Sequence, residues 1–232
     1  MVDRPRARVW LASGLQAKPF ERAIASLEPV GVPGRRTEDL AAENVYVVRL
    51  RVPRTGVLWL LTEPIGGKPI QGVGNLVVRS HTSTLPVGAK AFPSRTPTLA
   101  STHGKVAELT TRVPPDRALL RYSVAGSIAA HKPFVLVFAT PKFCTSRVCG
   151  PTVDVVNFVR RRFERRGVRF IHVEIYQRNR PPRYNRWTRQ WGLRTEPWTF
   201  LVGSDGRIKA KFEGALSPSE LGAAIRSTLL RR

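Results

Sequence analysis

The sequence predicts a small all-β, sandwich-like module followed by an α/β domain whose central mixed sheet is flanked by helices. Three observations lead there. Between residues 44 and 81 the chain carries short alternating runs rich in β-branched residues, separated by Gly/Pro turns. Between residues 133 and 175 two apolar runs bracket a helical pattern, the order of a βαβ unit with parallel strands. Beyond residue 198 two short apolar runs flank a tight turn and lead into a capped helix.

Residues 1–43 show no clean periodicity and read as an N-terminal segment, poorly ordered or partly helical. Residues 44–81 form the β-rich module. Val45 to Val52 alternates, Pro53-Arg54-Thr55-Gly56 turns the chain, Val57 to Thr62 is a second strand, and Gly74 to Arg79 is a third after another Gly/Pro break. Residues 82–115 are rich in Ser, Thr and Pro and read as an irregular connector draped over a surface. Residues 116–232 are the α/β domain. Asp116–Leu120 and Ser127–Ala130 suit helical turns, and Phe134–Ala139, bounded by Pro133 and Pro141, suits a buried central strand. A helix is predicted from Thr152 to Arg166, with Val155, Val156, Val159 and Phe163 on one face and Gly167 at its end. Val168–Ile175 is the next strand. Thr199–Val202 and Ile208–Phe212 form a hairpin through Gly203-Ser204-Asp205-Gly206. Ser217 caps a final helix, with Glu220 completing a capping box and Leu221, Ala224, Ile225 and Leu229 facing inward.

Composition narrows the function classes. The chain has 232 residues, 42% hydrophobic, long enough to bury a proper core. No apolar run reaches the roughly 18 residues a membrane span needs. The 39 Lys and Arg residues outweigh 16 acidic ones, for a net charge of +23. Both halves are basic, with the densest runs at Arg160–Arg162, Arg165–Arg169 and between Arg178 and Arg194. Arginines at the C-terminal end of a helix favour its macrodipole, so this charge has a structural reason. No nucleic-acid-binding module accompanies it, and a solvated Arg-rich surface is the preferred reading over a dedicated nucleic-acid site. The opening residues carry no apolar stretch long enough for a secretory leader, so the expected location is cytoplasmic, or extracytoplasmic if a leader precedes Met1. No metal-ligand cluster, phosphate-binding loop or serine triad is visible, and no cofactor is expected.

The chemistry-bearing feature is the pair Cys144 and Cys149, the chain's only cysteines. They stand between the first central strand and its helix, in Phe143-Cys144-Thr145-Ser146-Arg147-Val148-Cys149-Gly150-Pro151. The positive end of the helix dipole, with Lys142 and Arg147 nearby in sequence, favours the nucleophilic thiolate. A four-residue spacer can fold back and let the two sulfurs bond. A structural disulfide satisfies the same spacing.

At this point residues 116–232 resemble the thioredoxin-like superfamily. The matching features are the strand Phe134–Ala139, the cysteine pair, the helix, the strand Val168–Ile175, and Glu196-Pro197-Trp198-Thr199-Phe200. The resemblance implies an attacking thiol at Cys144, a resolving thiol at Cys149, and a cis-proline at Pro197 shaping a substrate site with Glu196 and Trp198. The implied activity is thiol–disulfide oxidoreduction on a protein partner, an acidic one given the basic surroundings. Domains of this kind with an appended β module often look extracytoplasmic in bacteria. The family's usual spacer is two residues behind a Trp; here it is four behind Phe143. The copper-handling branch has three residues between its cysteines and a further His ligand near the hairpin. The histidines here are His81, His103, His131 and His172, none near Glu196. The alternatives are a non-catalytic binding module with a structural disulfide, a copper-handling protein, and an anionic-polymer binder.

Overall fold

A computed structural model describes residues 4–33, 44–66 and 72–230. The chain divides into two compact units, one of residues 1–29 and 42–82, the other of residues 30–41 and 83–232.

The first unit is a single five-stranded antiparallel sheet in the order β3-β2-β1-β4-β5. Its strands are β1 (Arg6–Ala12), β2 (Glu21–Pro29), β3 (Asn44–Val47), β4 (Gly56–Pro64) and β5 (Gly72–Val78). The three strands expected between 44 and 81 are present. The described part of the preceding segment, residues 4–33, is neither poorly ordered nor helical: it supplies β1, the centre of the sheet, and β2, while residues 1–3 and 34–43 lie outside the described residues. Along β1, Ala7, Val9 and Leu11 are buried while Arg6 and Arg8 face solvent. That is a strand's period of two, masked in the sequence by the arginines. β2 is built of Glu, Arg, Ala and Leu, good helix formers, yet pairs along its length with β1. Tertiary pairing here overrides local propensity. The sheet has one packed face, on which Ala7, Val9 and Ala25 meet Tyr46, Val48, Leu50 and Leu60. Among the described residues the module has this one sheet and no second sheet of its own, so it is a single sheet and not a sandwich.

The second unit is mixed α/β. Its sheet runs β7-β6-β8-β9, with β6 (Phe134–Phe138) parallel to β7 (Arg169–Val173) and antiparallel to β8 (Trp198–Val202), which pairs antiparallel with β9 (Ile208–Glu213). Among the described residues its α-helices are α1 (Val124–Ala129), α2 (Cys149–Phe163), α3 (Arg186–Gln190) and α4 (Pro218–Thr228). Every residue of β6 and β8 is buried, because both faces of the sheet are covered. On one face Val135, Val137 and Leu201 pack against Val155, Val156 and Phe163 of α2 and Leu221 and Ile225 of α4. On the other, Trp191 sits 5.5 Å from the Phe138 ring and 4.9 Å from Phe200, beside Val124.

The predicted caps hold. Ser217 Oγ accepts the Glu220 amide at 3.0 Å, and Gly167 ends the helical segment in the left-handed region at φ 85°. The major helix begins three residues earlier than its hydrophobic face suggests, taking in Cys149 as its first residue. The connector belongs to this second unit, whose long segment runs from Ser83 and not from Asp116. Leu85, Ala91 and Phe92 pack on its core. Ser94 Oγ donates to Gln190 Oε1 at 2.7 Å and accepts Trp191 Nε1–H at 3.0 Å. Thr96 Oγ1 accepts the Val124 amide. These side-chain bonds stand in for a ladder, which explains how an irregular Ser/Thr/Pro segment lies ordered against a surface.

Candidate functional site

β6 ends at Phe138, and the chain leaves the sheet through Ala139-Thr140-Pro141. A turn closed by the Arg147 amide donating to the Cys144 carbonyl at 3.2 Å carries the spacer, with Arg147 itself at φ 59°. This turn brings Cys144 back onto the first turn of α2, where it is joined to Cys149 by a disulfide, Cα atoms 6.0 Å apart. The two cysteines are unequal. Cys149 is wholly buried in the α2 face of the core, while Cys144 is partly buried at its edge. Cys144 Sγ lies 3.3 Å from the Ser146 hydroxyl. Val148, at the N-cap, offers no side-chain acceptor, so the first amides of α2 remain as partial positive charge beside Cys149.

The third member arrives from the other end of the sequence. The Glu196–Pro197 peptide is cis and leads directly into β8. One oxygen of the Glu196 carboxylate and the two cysteine sulfurs all lie within 4.8 Å of one another. The sequence showed no ligand cluster; the fold makes one by bringing residue 196 to the cysteine turn. Oε2 of Glu196 accepts the Thr140 amide at 2.6 Å. Burial pushes the Glu196 carboxyl up to about 7; the Thr140 amide opposes that, and the negative charge of Glu174 adds to it. Burial, with Glu196 and Tyr184 nearby, also raises the Tyr176 phenol.

Other residues singled out in the sequence lie as follows. Lys142 and Arg147 are both exposed on the cysteine turn, the Lys142 ammonium 5.7 Å from the Phe143 ring. Pro197 is buried. Trp198 is 8% exposed; its ring stacks on Phe200, and its Nε1–H donates to Thr195 Oγ1 at 2.9 Å, so it packs into the sheet's second core. His172 is buried on the neighbouring strand with Nε2 2.9 Å from the Ala139 carbonyl, and it is not among the residues gathered with the two cysteines.

Two residues went unnoticed. Thr140 holds Glu196 through its amide, and its hydroxyl accepts the Ile175 amide at 3.3 Å. Glu174 is 4% exposed, its Oε1 accepting both the amide and hydroxyl of Thr111 at 2.6 and 2.8 Å. Its Oε2 is buried without a hydrogen-bond partner. A signal existed: strand alternation from Phe170 places Glu174 on the same inward face, and a carboxylate at a buried strand position is rare without a purpose. No family model and no curated protein matches this chain. Among the described residues no helix is long and apolar enough to cross a membrane.

Proposed function

We propose that this protein is a thiol–disulfide oxidoreductase working through Cys144 and Cys149 on a thioredoxin-like domain. The observation that carries the reading is the asymmetry of the disulfide. One sulfur belongs to a residue partly buried at the edge of the core, the other to a wholly buried residue at a helix N-terminus, and a carboxyl group stands beside both. The β6-α2-β7 order, the β8–β9 hairpin and the closing helix α4 support the domain assignment.

In the oxidised chain a partner thiolate attacks Cys144 Sγ. The Cys144–Cys149 bond breaks, and its electron pair leaves on Cys149 Sγ, where the α2 amides stabilise the thiolate. The chain is then held to its partner through a mixed disulfide at Cys144. A second partner thiolate attacks the partner's own sulfur in that bond and releases Cys144 as thiolate. The partner has lost two electrons and become a disulfide; the protein holds a dithiol. Run backwards, the same steps reduce a partner disulfide. Glu196, beside both sulfurs, is the group placed to exchange a proton with the Cys149 thiolate. Exposed Lys142 and Arg147 on the cysteine turn favour a partner with acidic residues near its reactive sulfur.

Equilibration with glutathione redox buffers tests this. The pair should show a potential in the range of exchange-active dithiols, about −120 to −270 mV, and Cys149→Ser should accumulate a mixed disulfide through Cys144. A potential below about −300 mV, with no trapped intermediate, would make the bond a structural cross-link.

A further inference from the structure

We infer that the reduced chain binds a divalent zinc-class ion through Cys144 Sγ, Cys149 Sγ and a carboxylate oxygen of Glu196. This goes beyond thiol exchange and needs only that the disulfide be reducible. The three donor atoms are already gathered within 4.8 Å of one another in the oxidised chain. With Zn–S near 2.3 Å and Zn–O near 2.1 Å, ligand atoms around a tetrahedral ion stand roughly 3.6–3.8 Å apart. Reduction moves the sulfurs from bonding distance out to that separation. Cα atoms 6.0 Å apart allow this by rotation about the Cα–Cβ bonds. The four-residue spacer lies within the range of zinc-chelating cysteine loops.

The surroundings suit the ion as well. The Glu196 carboxylate is held by the Thr140 amide on Oε2, and Oε1 has no hydrogen-bond partner among the described residues. An oriented ligand of this kind is what an outer-shell hydrogen bond provides. Two thiolates and a carboxylate carry three negative charges. The ion, the α2 N-terminus and the exposed Lys142 and Arg147 offset them. Cys144 is partly buried at the edge of the core, and the three side chains leave the fourth position of a tetrahedral ion to a further ligand. The donor set is two soft thiolates and one hard oxygen, which fits zinc and its analogues better than copper(I), an ion that prefers sulfur throughout. Reduction by a dithiol breaks the S–S bond and delivers two electrons and two protons. Metal binding then releases the thiol protons, so the site exists only in the reduced chain.

The test uses the full chain, oxidised and reduced under nitrogen, titrated with Co2+ and with Zn2+ in competition with a chromophoric chelator. The reduced chain should take up one Co2+, with thiolate-to-cobalt charge-transfer bands that Zn2+ abolishes; the oxidised chain should take up none. Glu196→Gln, which keeps an oxygen for the Thr140 amide, should weaken Zn2+ binding by at least about tenfold, the scale reached when even a ligand's supporting partner is removed. Glu196→Asp, keeping the carboxylate, should lose less. Equal affinity in wild type and Glu196→Gln would overturn the inference, as would tighter binding of copper(I) that ignores residue 196, or absence of binding to the reduced chain. The potential and the trapped mixed disulfide are measured without metal. A chain that exchanges thiols but binds no ion therefore refutes this inference alone.

Discussion

Replacing Glu196 by Gln tests the electrostatics of the site through stability alone, on oxidised protein free of metal. In the fold the carboxyl is shifted from its ordinary 4.5 to about 7, chiefly by burial. The native state therefore holds this proton more tightly than the unfolded chain does. Between pH 4.5 and 7 the native state binds more protons, so stability falls as pH rises through that window and levels off above it. The full gap corresponds to at most about 3 kcal/mol. Glu196 is only half-buried, and solvent screening reduces this to about 1–2 kcal/mol. Gln has no proton to lose and retains an acceptor for the Thr140 amide. Urea unfolding of both chains, followed by tryptophan fluorescence from pH 4.5 to 8, isolates the effect as a difference, in which the other titrating groups cancel. The stability of Glu196→Gln relative to wild type should rise by about 1–2 kcal/mol across the window. A difference that stays flat would show that Glu196 ionises as in water and would remove burial as the governing influence at the site.

Three further perturbations reach other parts of the same unit. Glu174→Gln removes a negative charge that raises Glu196, so the inflection assigned to Glu196 should move to lower pH, read by carboxyl NMR titration; an unmoved inflection would separate the two groups electrostatically. Arg112 donates to the buried Asp154 on α2 through Nη2 at 2.5 Å and Nε at 3.1 Å. Arg112→Met should cost about 3 kcal/mol in urea unfolding, because a buried carboxylate loses its charge partner; a loss under about 0.5 kcal/mol would class the pair with surface ion pairs. Gly192 has φ +69°, and a Cβ there would run into the Ser83 carbonyl oxygen, so Gly192→Ala should lower stability by more than about 1 kcal/mol; an unchanged urea midpoint would contradict that close approach.

The second unit was legible because its elements are locally consistent. The apolar run of β6, the valine face of α2, the turn at Gly203–Gly206 and the Ser217 cap each contain their own signal, and each element is found there, α2 with both ends shifted three residues toward the N-terminus. The first unit was legible only where a strand alternates without interference. β1 alternates too, but its outward positions near the start are Arg6 and Arg8, whose charge obscures the apolar period. β2 offers helix-forming residues, and only its register against β1 makes it a strand. The irregular residues between 83 and 115 were readable as a surface connector but not as part of the fold. Their anchors are single hydroxyls, such as Ser94 and Thr96, whose partners lie far away in sequence.

The site divides the same way. The cysteines are five positions apart in sequence and sit at a helix start, so proximity and dipole could be read off the residues. Glu196 could be placed only by a family resemblance, because nothing local connects position 196 to position 144. What joins them is the antiparallel pairing of β6 with β8. That pairing sets Phe138 opposite Trp198, so the chain leaving β6 and the chain entering β8 meet at one end of the sheet. Thr140 follows the first and Glu196 precedes the second, and the amide–carboxylate bond between them closes the gap. A carboxyl group is thus fixed beside the two sulfurs by the register of two buried strands. The precision of the site depends on the packing of Phe138, Phe200 and Trp191 behind it as much as on the cysteine turn in front.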